Sequence, residues 1–158
     1  MGNICRSPTA AGVLRQALAR TAPELRVEVD SAGTDGYHVG EPVDPRAVRH
    51  AARRGIDLRA GRARQLVPTD FDRFDWILCM DEANRAAARR IAAGRGRARL
   101  GLYLEFAHAV AVREVPDPYY GGPDGFETVL DLLEAGALAL IGELRRAASS
   151  SPTPPQGA

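Results

Sequence analysis

Short apolar runs that alternate with amphipathic helical stretches most constrain the fold of this 158-residue chain. The run from Trp76 to Met80 is wholly apolar, which is typical of a strand buried on both faces of a parallel sheet. Leu25–Val29 alternates apolar and polar residues and predicts another strand, and residues 100–104 predict a further one. Because helical stretches separate these runs, the sequence predicts an α/β fold with a parallel sheet.

Four helices are predicted from start signals and apolar spacing. They begin at Ser7-Pro8, at Asp44-Pro45, at Asp81 and at Asp124. The last has the clearest apolar stripe, formed by Phe126, Val129, Leu130, Leu133, Ala137, Leu140, Ile141 and Leu144. We predict one domain over residues 1–146 and a disordered Ser- and Pro-rich tail over residues 147–158.

Composition excludes several classes of function. Lys and Arg total 21 and Asp and Glu total 20, so a net charge of +1 argues against a general nucleic-acid binder. No apolar run approaches the ~18–20 residues of a membrane span. Two cysteines are too few for a disulfide framework and lack the histidine pair of a zinc site, so we expect a cytoplasmic protein without a metal.

The opening segment has the features of an anion-binding loop. Gly2 and Asn3 readily adopt the positive φ that a tight loop requires, and a helix N-terminus follows. The guanidinium of Arg6 can donate two hydrogen bonds to a phosphate. A turn followed by an ordinary helix cap explains the same residues equally well.

The segment Gly-Asn-Ile-Cys-Arg-Ser-Pro resembles the active-site loop of the low-molecular-weight protein tyrosine phosphatases. Further matching motifs follow in the family's order. They are Asp30-Ser31-Ala32-Gly33-Thr34, Val39-Gly40 with Asp44-Pro45-Arg46-Ala47, Ile77-Leu78-Cys79-Met80-Asp81 with Asn84, and Asp117-Pro118-Tyr119-Tyr120-Gly121 followed by Phe126-Glu127. The resemblance implies a single three-layer α/β domain, in which helices flank a four-stranded parallel sheet.

The chain departs from the family pattern at its beginning. The family's loop is Cys, five residues and Arg, and Met1 to Cys5 are already the five residues before Arg6. The resemblance therefore implies that the nucleophilic cysteine and the first strand of the sheet would precede Met1, and that Cys5 is not the nucleophile. We expect that Met1 is an internal methionine of a longer protein; the alternative is a truncated, inactive form.

The resemblance also implies a role for each site residue. Arg6 and Asp117 would be catalytic, the latter as general acid. The phosphate would be bound by Gly2, Asn3, Ile4, Cys5, Arg6 and Ser7; Tyr37, Tyr119 and Tyr120 would form the substrate walls; and Ser31 and Asp81 would support the loop. Simpler roles are a turn aspartate for Asp117 and helix caps for Ser7 and Asp81. Where the family often has a supporting histidine, this chain has Gly61.

These residues predict hydrolysis of protein phosphotyrosine, or of small aryl phosphates, through a phosphocysteine intermediate and without a cofactor. The 158-residue chain itself would be inactive without the nucleophile. One alternative is a non-catalytic phosphate-binding protein. Another is an arsenate reductase, which would need additional relay cysteines. We expect no nucleic-acid or membrane partner, and the sequence leaves the oligomeric state open.

Overall fold

The structure, a computed structural model, describes residues 2–108, 110–119 and 123–150. These residues form five α-helices, two β-strands and one 3₁₀ helix. In chain order the elements are α1 (Arg6–Thr21), α2 (Pro45–Arg53), α3 (Asp70–Arg73), β1 (Trp76–Cys79), α4 (Glu82–Ala92), β2 (Arg99–Leu102), the 3₁₀ helix (Tyr103–Phe106) and α5 (Pro123–Ser150).

The two strands pair in parallel, which confirms the α/β class. Trp76 lies opposite Arg99, and the register continues to Cys79 opposite Leu102. The predicted strand at Leu25–Val29 is wrong, because this segment pairs with no strand in the described chain. Alternating polarity gives a segment the side chains of a strand, but a strand also needs a neighbouring backbone to hydrogen-bond with. The described sheet therefore has two strands, whereas the resemblance implies four, the first of which would precede Met1.

A cleft of about 610 Å³ lies beside β1. Residues 26–30 and 76–80 both line it, together with Gly2 and apolar side chains from α1 and α5. Residues 76–78 are only half-buried, so the prediction that this strand is buried on both faces is wrong for them. The cause is the cleft, which exposes their side chains where a parallel sheet would ordinarily cover them.

The predicted helix starts agree with the structure at two places. Asp44 caps α2, with its carboxylate accepting a hydrogen bond from the Arg46 N–H, and Asp81 caps α4 in the same way through Asn84. Helix α1 begins at Arg6, however, ahead of the predicted start at Ser7. Its N-cap position is Cys5, which makes no side-chain capping bond, so Ser7 lies inside the first turn and is not a cap.

The main core lies between α1, α2, the 3₁₀ helix and α5. The predicted apolar stripe of α5 is confirmed: all its members are buried except Leu144, which is partly buried against the same core. A second cluster around Phe71, Cys79, Ala88 and Leu102 packs α4 against the other side of the sheet. None of the helices in the described ranges is long and apolar enough to cross a membrane.

Helix α5 extends to Ser150, four residues beyond the predicted domain end at Arg146. Two observations explain the longer helix. Ala147 and Ala148 are residues with high helix propensity, and Arg145 is fixed by hydrogen bonds to Glu24 and to the Thr21 carbonyl. The prediction of disorder is therefore wrong for residues 147–150, and residues 151–158 lie outside the described part of the chain.

We predict that Leu133→Ala lowers the free energy of unfolding by about 2–5 kcal/mol, because this side chain is fully buried and its loss leaves a cavity. Leu138→Ala is the matched control: it lies on the same helix but is 58% exposed, so its effect should stay within about 0.5 kcal/mol. Urea unfolding followed by circular dichroism measures both values. Equal effects of the two substitutions would contradict the assignment of the core.

Candidate active site

The loop that leads into α1 has the backbone conformation of a tight turn. Asn3 has a φ of 60°, as predicted, whereas Gly2 is not among the residues with positive φ. Gly2 instead packs closely against His38: a Cβ atom there would lie 2.2 Å from Cδ2 of the imidazole, so a larger residue would have to displace that ring. The glycine allows the loop and the segment around His38 to approach each other.

Asn3 is the residue that fixes this loop. Its buried amide Nδ2 donates to the hydroxyl oxygens of Ser7, at 2.8 Å, and Ser31, at 3.0 Å. Its Oδ1 accepts a hydrogen bond of 3.0 Å from the backbone N–H of Arg64. The Arg64 backbone thus supports Asn3. Arg64 follows three residues after Gly61, the position at which the family often has a histidine. Ser31 contacts the loop directly, as its predicted supporting role requires.

The guanidinium of Arg6 lies buried beside the loop. Its Nη1 donates to Asp81 Oδ2, at 2.6 Å, and to the Val115 carbonyl, at 2.8 Å. Its Nη2 lies 3.4 Å from Asp117 Oδ2. The structure therefore brings together three residues that are predicted for the site from separate parts of the chain.

Asp117 lies on a short loop after the 3₁₀ helix, which we call the acid loop (residues 115–119). The loop is attached to the end of β1 by a 2.8 Å hydrogen bond from the Val115 N–H to the Met80 carbonyl. Asp117 Oδ1 accepts from the Tyr119 N–H at 3.0 Å, while the other oxygen is directed at Arg6. The Asp117 side chain is about a quarter exposed, so it remains accessible from solvent.

The predicted substrate walls differ in their position. Tyr119 lines the cleft and is 39% exposed, which suits a wall beside Asp117. Tyr37 is 88% exposed and does not line the cleft, whereas its neighbour His38 does. Tyr120 lies outside the described residues.

Neither cysteine has the environment of a nucleophile. Burial raises the pKa of the Cys5 thiol to about 12, and the Asp44 carboxylate, with which it hydrogen-bonds, adds to the rise. Burial also raises the pKa of Cys79 to about 11, with a further contribution from Asp81. Both thiols are therefore protonated at neutral pH, whereas only a thiolate attacks phosphorus efficiently.

The described ranges contain no group of three or more His, Cys, Asp or Glu side chains placed to hold a metal ion. What the site offers is a cationic guanidinium, a carboxyl group and a helix N-terminus at one end of the cleft. A helix N-terminus and a guanidinium together favour a bound phosphate. The adjacent carboxyl group could exchange a proton with an atom of that ligand.

Three residues with a role in this geometry were not predicted from the sequence. His38 packs on Gly2, the Arg64 backbone supports Asn3, and Arg46 contacts the acid loop through the Tyr119 carbonyl. Arg46 belongs to a motif that matches the family, which is the signal that could have drawn attention to it. The other two are visible only once the loops are folded together.

Comparison with known proteins gives a consistent result. The family described as low molecular weight phosphotyrosine protein phosphatase matches residues 1–150. The chain is 42% identical to the low molecular weight protein-tyrosine-phosphatase of Streptomyces coelicolor over 147 residues, which cover 91% of this chain and 89% of that protein. It is 37% identical to the human low molecular weight phosphotyrosine protein phosphatase over 134 residues, 82% of each chain.

Among solved structures, that of YfkJ from Bacillus subtilis superposes with a TM-score of 0.85 at 33% identity, covering 93% of this chain and 91% of that one. The match of the family along nearly the whole chain agrees with the arrangement of Arg6, Asn3 and Asp117 described above. The chain belongs to the low-molecular-weight protein tyrosine phosphatase family.

Proposed function

We propose that this protein hydrolyses phosphotyrosine in proteins, and small aryl phosphates, through a phosphocysteine intermediate. The nucleophile would be a cysteine directly before Met1. The 158-residue chain alone would then bind phosphate but would not hydrolyse phosphate esters. The observation that carries the proposal is the pairing of Arg6 with Asp117, 3.4 Å apart, beside a loop fixed by Asn3. A cation and a proton donor at one loop are what cleavage of an aryl phosphate requires.

In the first step, the thiolate attacks phosphorus and the bond from phosphorus to the aryl oxygen breaks. Asp117 gives its proton to the leaving phenolate and becomes a carboxylate. The guanidinium of Arg6 would hold two non-bridging oxygens, as its planar fork allows, and stabilise the charge of the transition state. The N-terminus of α1 and the amides of Gly2–Arg6 would keep the thiolate deprotonated.

In the second step, the Asp117 carboxylate takes a proton from water while the water oxygen attacks phosphorus. The bond between sulfur and phosphorus breaks, inorganic phosphate is released, the thiolate is regenerated and Asp117 again carries a proton. Ser7 would stabilise the departing thiolate, and its hydroxyl is held toward the loop by Asn3 at 2.8 Å. Asp81 would keep the Arg6 guanidinium oriented through their 2.6 Å contact.

The cleft beside β1 supports the proposal that a strand precedes Met1. Gly2 lines the cleft, so a segment joined to the amino end can enter it. Strand β1 pairs with β2 alone among the described residues, and residues 26–30 pair with no strand there. An apolar strand in the cleft would hydrogen-bond to β1 and cover the half-exposed side chains of Trp76, Ile77 and Leu78. Its last residue would then carry the thiol into the loop.

The substrate class rests on Tyr119 and on the relatives. An aromatic ring at the mouth of the cleft suits the ring of phosphotyrosine, and several relatives are named as phosphotyrosine protein phosphatases. We propose a cytoplasmic site of action, since tyrosine-phosphorylated proteins and free thiols are both expected there.

A non-catalytic phosphate-binding protein is the second candidate function. The burial of Cys5 and Cys79 favours it for the 158-residue chain, because neither thiol ionises at neutral pH. The same observation speaks against an arsenate reductase, which needs accessible relay cysteines. An extension at the amino end separates the first candidate from the second.

The 158-residue chain should hydrolyse p-nitrophenyl phosphate little or not at all. A chain extended before Met1 by an apolar strand ending in cysteine should be active, because the thiolate is then supplied. The matched control carries serine in place of that cysteine and should stay inactive. Initial rates at pH 6–7 measure this, and an extended chain no faster than its serine control would contradict the proposed mechanism.

In the extended, active chain we predict that Asp117→Asn lowers kcat by about 10²–10⁴-fold, because the general acid is lost. Asp72→Asn serves as control, since Asp72 is exposed on α3 and should leave kcat unchanged within twofold. Steady-state kinetics with p-nitrophenyl phosphate give both values. Full activity of the Asp117 variant would show that another group provides the proton.

Both cysteines of the 158-residue chain should react slowly with Ellman's reagent at pH 8. Their raised pKa values lower the thiolate fraction, so we expect rates on the order of 10²–10³-fold below those of the urea-unfolded chain. Cys79→Ser isolates the reaction of Cys5. Rapid modification of Cys5 in the folded chain would reopen the possibility that Cys5 is the nucleophile.

A further inference from the structure

Arg46 lies at the N-terminus of α2 and is linked through Asp44 to residues 2–7, which we call the phosphate-binding loop. Its Nε and Nη2 donate to the two Asp44 oxygens at 3.1 and 2.8 Å. The Asp44 N–H in turn donates to the Ile4 carbonyl at 2.8 Å. Asp44 is buried, so this end of the guanidinium has a fixed anchor.

The other end of the guanidinium contacts the acid loop. Nη1 donates to the Tyr119 carbonyl at 3.0 Å, and the Arg46 Cζ lies 5.1 Å from the centre of the Tyr119 ring. The same carbon lies 5.2 Å from the ring of Phe126, a buried residue of α5. Arg46 is thus held by the core on one side and contacts both the backbone and the ring of Tyr119.

Tyr119 is also connected to the predicted general acid. Its N–H donates to Asp117 Oδ1 at 3.0 Å. Displacement of the Tyr119 backbone would therefore move Asp117 as well as the aromatic wall. Arg46 therefore links Tyr119 to residue Ile4 by way of Asp44.

We propose that Arg46 is a positioning residue that sets the aryl specificity of the site by holding Tyr119, and with it Asp117, against the phosphate-binding loop. The inference rests on the proposed function, since it concerns the substrate class of that site. Arginine is required because only a planar guanidinium can bind Asp44 with two donors, reach the Tyr119 carbonyl and stack on a ring at the same time. A lysine would keep the charge and lose this geometry.

The test compares two anions that cannot be hydrolysed, phenylphosphonate and methylphosphonate, by isothermal titration calorimetry on the 158-residue chain, at an alkaline pH where both are dianions. The parent should bind phenylphosphonate about two- to tenfold more tightly, the usual value of one aromatic contact. The affinity ratio is the dissociation constant of methylphosphonate divided by that of phenylphosphonate. Arg46→Met should lower this ratio most of the way to one. Loss of the positive charge weakens the binding of both anions by the same factor, and this factor cancels in the affinity ratio. The ratio therefore reports on the contact with Tyr119.

Arg59→Met is the matched control. Arg59 makes the same local fork with Asp57, at 2.9 and 2.8 Å, but on an exposed surface. Its substitution should leave the ratio unchanged. Arg46→Lys is a second variant that retains the charge. Its affinity ratio should fall toward one, as it does in Arg46→Met. Thermal unfolding of each variant verifies that it is folded.

A double-mutant cycle shows whether Arg46 acts through Tyr119. In a Tyr119→Ala background, Arg46→Met should produce no further loss of the ratio. An unchanged ratio in the Arg46 variants, or additive losses in the cycle, would overturn the inference while leaving the proposed function intact. A parent chain that binds neither phosphonate would instead contradict the proposed function, and the inference would fall with it.

Discussion

The buried guanidinium of Arg6 is the group on which the rest of the site depends. A charge removed from water is costly unless it is paired and hydrogen-bonded. Here it is satisfied by Asp81 at the start of α4, by the Val115 carbonyl and by Asp117. Those partners come from the two segments that follow the sheet strands, so one side chain in the first turn of α1 fixes the positions of all of them. The phosphate-binding loop and the acid loop are therefore linked through this one side chain.

The cleft beside β1 connects the architecture with the chemistry. In a parallel sheet the carboxyl ends of strands carry the ligand site, and Met80, at the end of β1, anchors the acid loop through Val115. The phosphate-binding loop opens onto the same cleft. The loop before α1 and the carboxyl end of β1 therefore meet at one cleft, so the same part of the sheet that holds the acid loop also borders the loop of Arg6.

The sequence predicted most helices because their signals are local. Asp44 and Asp81 are capping residues followed by helical spacing, and the stripe of α5 is periodic over several turns. It failed at Leu25–Val29, because pairing depends on a neighbour that no local pattern reveals. Arg6 and Asp117 were predicted as catalytic residues through the family resemblance, and in the structure their side chains lie 3.4 Å apart. Arg46 was missed because its role arises from contacts with Tyr119 and Phe126, which lie more than 70 residues away. Tyr37 illustrates the opposite case, a residue chosen by resemblance whose side chain lies outside the cleft.

The packing of α1 on α5 has a consequence for how the protein is made. The first and last helices share one core, and Arg145 near the carboxyl end bonds to Glu24 and to the end of α1. A nascent chain leaves the ribosome amino end first. The apolar face of α1 therefore stays uncovered until α5 has been synthesised. Closure of the domain accordingly follows the synthesis of α5, and only then does the shared core support the start of α1.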